Sequence, residues 1–366
     1  MTRLGVAAAL VDDVLMPGDV AVEDGRVIEV GLPAGPNGLA VPGLVDLQVN
    51  GYAGVDFLTD GAPEWVGAAR AMARAGVTAF VANLITAPEP MTLAALRIAA
   101  EVSAAMPVDV AQLLGVHLEG PFLSPARAGT HPVEHLRPPD AKLAERLLAA
   151  GPVVAVTLAP ELPGALDLVT LLRSSGVLVS LGHSDATASQ ADAGFDAGAR
   201  AVTHIFNAMS TPTARAAGLA GVALARADVA VQMICDGVHL TSASARLVIA
   251  AAPDRFVLVT DALAAAGMGD GRYQLGPVEV VVLDGQARRT DGTLAGSLLS
   301  MAAGIRGAVE AGASVGQAVA AATVRPATLV GRPDLGRLRP GATADITVLH
   351  DTLEVARTYR AGVPVS

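Results

Sequence analysis

The chain has 366 residues, a formal net charge of -10, and 52% hydrophobic against 16% charged residues, which favours a large buried core over a disordered chain. It contains no block of Lys or Arg, so the sequence argues against a nucleic-acid-binding role. No uninterrupted apolar run reaches about 18 residues, so no membrane span is predicted. The single cysteine, Cys235, excludes an internal disulfide, and the N-terminus lacks a signal-peptide pattern, so we expect a cytoplasmic protein.

The first 41 residues predict a small β structure. Val20–Glu23 and Val27–Val30 are short apolar runs, and Asp24–Gly25 between them is a turn pair typical of a tight hairpin. Too few residues precede the next segment to support a domain alone, so this hairpin needs a partner elsewhere in the chain.

Eight short apolar runs follow, bounded by Gly, Pro, Asn or Asp as strands are. Their continuous apolar character fits strands buried on both faces, as in a parallel sheet. Their starts lie roughly 24 to 40 residues apart, which leaves room for a crossover helix each time. The runs are Leu44–Asn50, Thr78–Leu84, Leu113–Glu119, Val153–Ala159, Val177–His183, Ala201–Phe206, Val229–Cys235 and Phe256–Asp261.

Segments with helical periodicity lie between these runs, and eight strand–helix repeats predict an α/β fold of the (β/α)₈ TIM-barrel type. A doubly wound open sheet is the structural alternative. The clearest helical segments are Glu64–Ala75, Met91–Ala105, Ala141–Ala150, Ala165–Ser175 and Ala188–Ala197.

The end of the chain returns to β pattern. Residues 272–296 resemble hairpin material inserted after the eighth strand, and residues 335–366 contain short strands and turns. We therefore expect a small β-sandwich domain built from residues 1–41 and 335–366, and a barrel built from residues 42–334.

Polar residues recur where the predicted strands end, which is where barrel enzymes carry their chemistry. Glu119, His183 and His204 predict a two-histidine, one-carboxylate metal site with a fourth position left for water. Strands five and six are neighbours, about 4.8 Å apart, so both imidazoles can reach one ion. Asp261, at the end of strand eight, is placed to move protons. The alternative is that each histidine is a hydrogen-bonded core residue.

Several short motifs, spread over nearly the whole chain, follow one family pattern. His117-Leu-Glu-Gly-Pro121 and Thr203-His-Ile-Phe-Asn-Ala-Met209 are the most specific of them. With these motifs, the chain resembles the amidohydrolase superfamily and, within it, the N-acetylglucosamine-6-phosphate deacetylase family. The other segments that carry the resemblance are Pro42–Gly51, Gly129–His131, Gly182–Thr187, Gly218–Gly221, Asp236–His239, Thr260–Ala262, Gly292–Ser297 and Gly336–Asp345.

The resemblance implies the catalytic roles. Glu119, His183 and His204 would hold one divalent metal ion, and Asp261 would be the general base and then the general acid. His131 would polarise the acetyl carbonyl and stabilise the developing oxyanion.

The resemblance also implies a phosphorylated amino sugar as substrate. Asn207 and the backbone at Ala208 would bind the sugar phosphate, with Arg215 and His239 in the same pocket. In the family the residue matching Arg215 comes from the neighbouring subunit, which implies a homodimer.

One departure from the wider superfamily concerns the metal count. Many amidohydrolases carry two histidines at the end of strand one for a second metal, and here the positions are Gln48 and Asn50. Strand alternation places both on the site's face, and neutral amides are poor zinc ligands. We therefore expect a single metal, with zinc as the leading candidate and iron, cobalt, nickel and manganese as alternatives.

The expected reaction is hydrolysis of the N-acetyl group of N-acetylglucosamine 6-phosphate, in amino-sugar catabolism or cell-wall recycling. One alternative is the deacetylation of N-acetylgalactosamine 6-phosphate, because the two sugars differ at one centre. Another is a cyclic-amide hydrolase of the same superfamily, against which the missing first-strand histidines argue. A non-catalytic scaffold on this fold is a third alternative, and it would be expected to lose the ligands or Asp261.

Overall fold

The strands of the N-terminal segment are short and mostly antiparallel in the computed structural model, which describes residues 1–366. The predicted hairpin is confirmed, and Asp24 and Gly25 take φ values of 48° and 75°, as a tight turn of this hand requires. The strands are β1 (Thr2–Arg3), β2 (Ala8–Val11), β3 (Val14–Pro17), β4 (Asp19–Glu23), β5 (Arg26–Leu32) and β6 (Leu39–Pro42).

A parallel sheet of eight strands forms the middle of the fold, and each strand pairs with the next along the chain. Its first strand, β7 (Leu44–Val49), is followed by the small hairpin β8 (Gly51–Tyr52) and β9 (Val55–Asp56). The other seven barrel strands are β10 (Val77–Ile85), β11 (Gln112–Glu119), β12 (Val153–Leu158), β13 (Leu178–Leu181), β14 (Ala201–Val202), β15 (Ala230–Met233) and β16 (Phe256–Leu258).

The sheet closes through residues that follow β16 instead of through β16 itself. The Asp261 main-chain N–H donates to the Gln48 carbonyl over 2.9 Å, and Val49 forms an isolated parallel bridge with Ala262. Eight strands in sequential order with this closure confirm the predicted barrel and exclude the open doubly wound sheet.

Helices connect the barrel strands and cover them. In the first helix the buried residues Trp65, Ala68, Ala69 and Met72 recur at helical spacing, so one face packs on the sheet. None of the helices has the length and apolar surface that crossing a membrane requires. They are α1 (Ala62–Arg74), α2 (Glu89–Ala105), α3 (Ala141–Ala150), α4 (Ala165–Ser174), α5 (Ala188–Ala197), α6 (Gly218–Ala225), α7 (Ser242–Ala251), α8 (Met301–Glu310), α9 (Val315–Ala321) and α10 (Val324–Leu329).

Three further strands form an antiparallel insertion between β16 and α8, where hairpin material was predicted. They are β17 (Gly271–Leu275), β18 (Val278–Leu283) and β19 (Gln286–Arg288).

Two further sheets lie outside the barrel, and one of them combines strands from both chain ends. The C-terminal strands are β20 (Ile346–Leu349), β21 (Val355–Arg360) and β22 (Val363–Pro364). They join β6, β2 and β3 in one six-stranded sheet, while β1, β4 and β5 form another. A separate core of 12 buried residues draws on both ends of the chain. Since β6 extends to Pro42, the division of the chain after residue 41 and before residue 335 stays a prediction.

A buried carboxyl group ties the first and last barrel strands together. Asp46 on β7 accepts hydrogen bonds from the Thr260 hydroxyl at 2.6 Å and from the Thr260 main-chain N–H at 3.2 Å. Burial raises the pKa of Asp46 to about 7, against 3.8 for an ordinary aspartate. The folded protein therefore retains a proton at Asp46 that the unfolded chain loses at lower pH.

We expect this group to make stability fall as the pH rises from about 4 to about 7, because the folded pKa lies above the unfolded one. Asp46→Asn keeps the shape of the protonated acid and has no such dependence. The free energy of unfolding of the native protein, relative to the variant, should therefore decrease by up to about 4 kcal/mol across that interval. Urea unfolding of both proteins at several pH values measures this difference, and parallel pH profiles would rule the effect out.

Candidate active site

Three side chains from different strands converge at the carboxyl end of the barrel. Glu119 ends β11, His183 follows β13 and His204 follows β14. Glu119 Oε1 lies 3.0 Å from His183 Nε2 and 2.9 Å from His204 Nε2, and the two Nε2 atoms are 3.2 Å apart. All three side chains are buried, so a group within the site has to compensate the charge of the carboxylate.

The donor set and its spacing fit a divalent metal ion. In tetrahedral zinc sites with bonds of about 2.0–2.1 Å, neighbouring ligand atoms lie about 3.3 Å apart, close to the separations between Glu119, His183 and His204. Burial opposes the ionised form of Glu119, but hydrogen bonds to both imidazoles hold its pKa well below the usual range. Burial likewise opposes a charged His204, and the Glu119 carboxylate nevertheless raises the pKa of that imidazole. A cation between these groups would take the place of the shared protons.

The orientation of His183 also suits a metal ligand. Its Nδ1 lies 2.9 Å from the Arg127 carbonyl oxygen, to which an Nδ1–H donates, so the Nε2 lone pair is directed toward Glu119 and His204. Main-chain carbonyls commonly fix metal-binding histidines in this way.

A layer of buried polar groups lies beneath the three ligands inside the barrel. His117 Nε2 contacts the Thr157 hydroxyl at 2.7 Å, Thr157 contacts Thr203 at 2.7 Å, and Thr203 contacts Ser180 at 2.6 Å. Burial lowers the pKa of His117 to about 4, so this imidazole is neutral at pH 7. Because Thr203 directly precedes His204, the layer helps to fix the position of one ligand.

Asp261 faces the cluster from the segment that closes the barrel, and two amides fix it there. Its Oδ1 accepts hydrogen bonds from Asn50 Nδ2 at 2.8 Å and from Gln48 Nε2 at 3.2 Å. These bonds leave Oδ2 as the oxygen free to exchange a proton. Burial, and next the charge of Glu119, raise the pKa of Asp261 to about 6, which suits a group that accepts and returns protons near neutral pH.

Hydrogen bonds link Asp261 to Glu119 through the first-strand amides and through Asn83, a residue that the sequence did not identify as part of the site. Asn83 on β10 donates to Glu119 Oε2 and to Asn50 Oδ1, both at 2.7 Å, and Gln48 Nε2 also lies 3.3 Å from Glu119 Oε2. The amide N–H groups therefore point at Glu119 from the side opposite the histidines. A second cation on that side would face these N–H donors and be repelled.

His131 lies on the loop after β11 and has a defined proton position. The Thr86 main-chain N–H donates to His131 Nδ1 over 3.1 Å, so the neutral imidazole carries its proton on Nε2. That atom lies 3.9 Å from Glu119 Oε2, inside the site. Burial lowers the pKa of His131 to about 3, so the ring is neutral at pH 7 and its Nε2–H can donate to a carbonyl oxygen.

The predicted sugar-binding residues line the same pocket of about 220 Å³ as the ligands, with Arg215 as the exception. Asn207 and Ala208 lie after β14, and His239 lies after β15. His239 Nδ1 is 2.7 Å from Asp236 Oδ2, which orients the ring with Nε2 toward the pocket. Arg215 lies on an exposed turn and does not line the pocket of its own chain.

Left-handed backbone conformations concentrate at this site. His183, His204, Ala208 and Asp261 have φ values of 47°, 27°, 48° and 51°, in a region that residues other than glycine seldom occupy. Such strain persists where the surrounding structure imposes it, and it is common at functional sites.

A larger cavity, of about 760 Å³, lies at the opposite end of the barrel and has a different character. Its lining is largely apolar, and the guanidinium group of Arg255 there donates to the main-chain carbonyls of Val229 at 2.6 Å and Leu224 at 2.9 Å. These guanidinium N–H groups are already hydrogen-bonded to the main chain. The cavity contains no cluster of metal-ligating groups.

A parallel barrel with two histidines and a glutamate gathered at the carboxyl ends of its strands has the site of a metal-dependent hydrolase. Residues 39–365 match the amidohydrolase family, and the chain belongs to that family.

Relatives and solved structures agree with this assignment. The chain is 39% identical to N-acetylglucosamine-6-phosphate deacetylase from Bos taurus, over 95% of this chain and 88% of the relative. It is 38% identical to N-acetylgalactosamine-6-phosphate deacetylase from Escherichia coli O157:H7, over 88% and 87%. Among structures, a mutant N-acetyl-D-glucosamine-6-phosphate deacetylase from Mycobacterium smegmatis, in complex with N-acetyl-D-glucosamine-6-phosphate, superimposes with a TM-score of 0.94 at 36% identity, covering 100% of this chain and 99% of the other.

Proposed function

We propose that this chain hydrolyses the N-acetyl group of N-acetylglucosamine 6-phosphate to give glucosamine 6-phosphate and acetate. The observation that carries the proposal is that one pocket holds the three ligands, the free Oδ2 of Asp261 and the Nε2–H of His131. A metal site that activates water, a proton acceptor and an oxyanion donor are what metal-assisted amide hydrolysis requires. The relatives named above support the choice of an acetylated sugar phosphate.

Glu119, His183 and His204 are proposed to hold one divalent ion, which when bound supplies Lewis acidity and lowers the pKa of water. The first-strand amides around Glu119 and Asp261 support a count of one. Two imidazoles and a carboxylate suit zinc, and we propose zinc as the native ion.

Proton transfer in this proposal belongs to Asp261. Its Oδ2 takes a proton from the attacking water as the oxygen bonds to the acetyl carbon, and the Nε2–H of His131 stabilises the negative charge that develops on the carbonyl oxygen. As the C–N bond breaks, Asp261 returns the proton to the departing amine. Asn50 and Gln48 keep the carboxylate in place throughout, since both donate to the oxygen that does not react.

The sugar phosphate is proposed to bind at Asn207, the Ala208 backbone and His239, with Arg215 supplied by the other subunit of a homodimer. The exposed position of Arg215, outside its own pocket, supports a contribution to a neighbouring site. We also propose a cytoplasmic location, because the lone Cys235 suits a reducing compartment.

We expect Arg215→Ala to raise KM for the phosphorylated substrate by about 10- to 100-fold, because it removes a charge-assisted hydrogen bond to phosphate. The KM of unphosphorylated N-acetylglucosamine should change little. Steady-state kinetics on both substrates measure the difference, and Arg97→Ala, on the exposed face of α2, is the matched control. Equal changes for both substrates would contradict a phosphate-binding role.

Subunit mixing tests where Arg215 acts. Coexpressed Arg215→Ala and Asp261→Asn chains would form hybrid dimers in which one site has both native residues. Random pairing should then restore about a quarter of the native activity at low substrate concentration. Activity that merely averages the two parent variants would place Arg215 in its own chain's site or outside any site.

The alternative substrate is N-acetylgalactosamine 6-phosphate, and the similarity to the N-acetylgalactosamine-6-phosphate deacetylase from Escherichia coli O157:H7 supports it. Acetate release from acetylated glucosamine and galactosamine, each with and without the 6-phosphate, separates the two, with metal content measured on the same samples. Failure of the metal-loaded protein to release acetate from any of them would refute the deacetylase proposal.

A further inference from the structure

The turn between β17 and β18, in the insertion after β16, packs against the carboxyl end of the barrel. The Gly276 main-chain N–H donates to Asp56 Oδ2 over 2.8 Å, and Asp56 itself is buried after the first barrel strand. A Cβ on Gly276 would lie 2.4 Å from a Leu58 methyl and 3.6 Å from Ile85 Cγ1. The turn is therefore fixed by one polar bond and by close apolar contacts.

This turn places Leu275 in the pocket that holds the metal-ligating cluster. Leu275 and Ile85 are 3% and 4% exposed, and both line that pocket together with Leu294. Ile85 pairs in register with Glu119 and lies two residues beyond Asn83, which donates to the same glutamate. An apolar wall thus stands directly beside the cluster, on the side of the second barrel strand.

The polar groups suited to a sugar lie across the barrel from this wall. Asn207 and Ala208 follow the sixth strand, β14, and β10 and β14 are four strands apart in an eight-stranded barrel, which makes them opposite. A secondary amide is planar and trans, so the acyl carbon chain and the sugar carbon point away from each other across the C–N bond. A substrate whose sugar lies toward Asn207 directs its acyl chain toward Ile85 and Leu275.

We propose that Ile85 and Leu275 form an acyl pocket that limits the length of the acyl group, and that Asp56 is a positioning residue that holds Leu275 in it. The proposal rests on the deacetylase function proposed above. An acetyl methyl group meets the apolar wall, whereas each added methylene has to displace it. One misfitting methylene in an apolar pocket typically changes kcat/KM by about 10- to 200-fold.

The test measures kcat/KM of metal-loaded protein for the N-acetyl, N-propionyl and N-butyryl forms of glucosamine 6-phosphate. Leu275→Ala should raise the ratio of butyryl to acetyl hydrolysis by about 10-fold or more. Leu283→Ala is the matched control, because Leu283 lies on β18 of the same insertion and is 65% exposed, so the ratio should not change. Ile85→Val provides a milder variant, in which the ratio of propionyl to acetyl hydrolysis should rise.

Asp56→Asn tests the positioning role, since the side chain keeps its size but has only one acceptor oxygen. The native carboxylate uses Oδ1 for the Leu58 and Thr59 N–H groups and Oδ2 for the Gly276 N–H, so the amide cannot satisfy both sides. The butyryl-to-acetyl ratio should rise as in Leu275→Ala, whereas a purely structural role would lower only the thermal stability. Unchanged ratios in Leu275→Ala and Ile85→Val, with acetyl hydrolysis intact in the native protein, would overturn the acyl pocket alone. A native protein that hydrolyses none of the three compounds would overturn the deacetylase function and the acyl pocket together.

Discussion

Asp261→Asn is expected to lower kcat by about 1,000-fold or more while the protein keeps its bound metal. An asparagine retains the shape of the side chain and an oxygen that can accept from Asn50, so the site should not collapse. The amide cannot take a proton from water or return one to the amine, and positioned acid–base groups commonly contribute about 10²- to 10⁴-fold to a rate. The loss should appear in kcat, because Asp261 acts on the reacting atoms.

Acetate release under saturating substrate, with metal analysis of the same preparation, measures both parts of this prediction. Asp254→Asn is the matched control, because that carboxylate is 88% exposed and lies far from the pocket. A variant with near-native kcat and native metal content would show that Asp261 does not transfer the proton.

The architecture could be predicted because it depends on local pattern. Each barrel strand is a largely apolar run bounded by turn residues, and α3 and α5 have the predicted bounds because Asp140 and Thr187 cap their first turns. The predicted strand ends at Phe206 and Asp261 were too late, since β14 ends at Val202 and β16 at Leu258. At these positions the backbone leaves the strand for left-handed conformations that present side chains to the site.

The candidate ligands could be predicted because they end apolar strands, but the groups around them are joined by contacts that the sequence does not reveal. Asn83 and Glu119 lie 36 residues apart, and Asp56 and Gly276 lie 220 apart. Asn83 gave a usable signal, because Thr78 is the only other polar residue of its strand. Asp56 gave no such signal, because nothing in the sequence around it indicates that the insertion after β16 will contact it.

His183→Gln should abolish stable metal binding, from about one ion per chain to almost none after dialysis. The replaced imidazole is one of three ligand atoms that lie within about 3 Å of one another, and a neutral amide is a poor substitute. Because ligand binding stabilises the folded state, adding a chelator should lower the Tm of the native protein and leave that of the variant unchanged. That readout is independent of activity, so it separates loss of the ion from loss of chemistry.

His350→Gln serves as the control, since His350 is exposed and remote from the pocket, and it should behave as the native protein in every assay. If His183→Gln retained one ion per chain and a chelator-sensitive Tm, the ion would be held by other groups. The close approach of His183 Nε2 to His204 Nε2 would then have to be explained by a shared proton. One proton shared by two imidazoles and a carboxylate leaves at least one buried Nε2 lone pair without a hydrogen-bond donor. A cation would satisfy all three groups, and this is the physical reason for preferring one there.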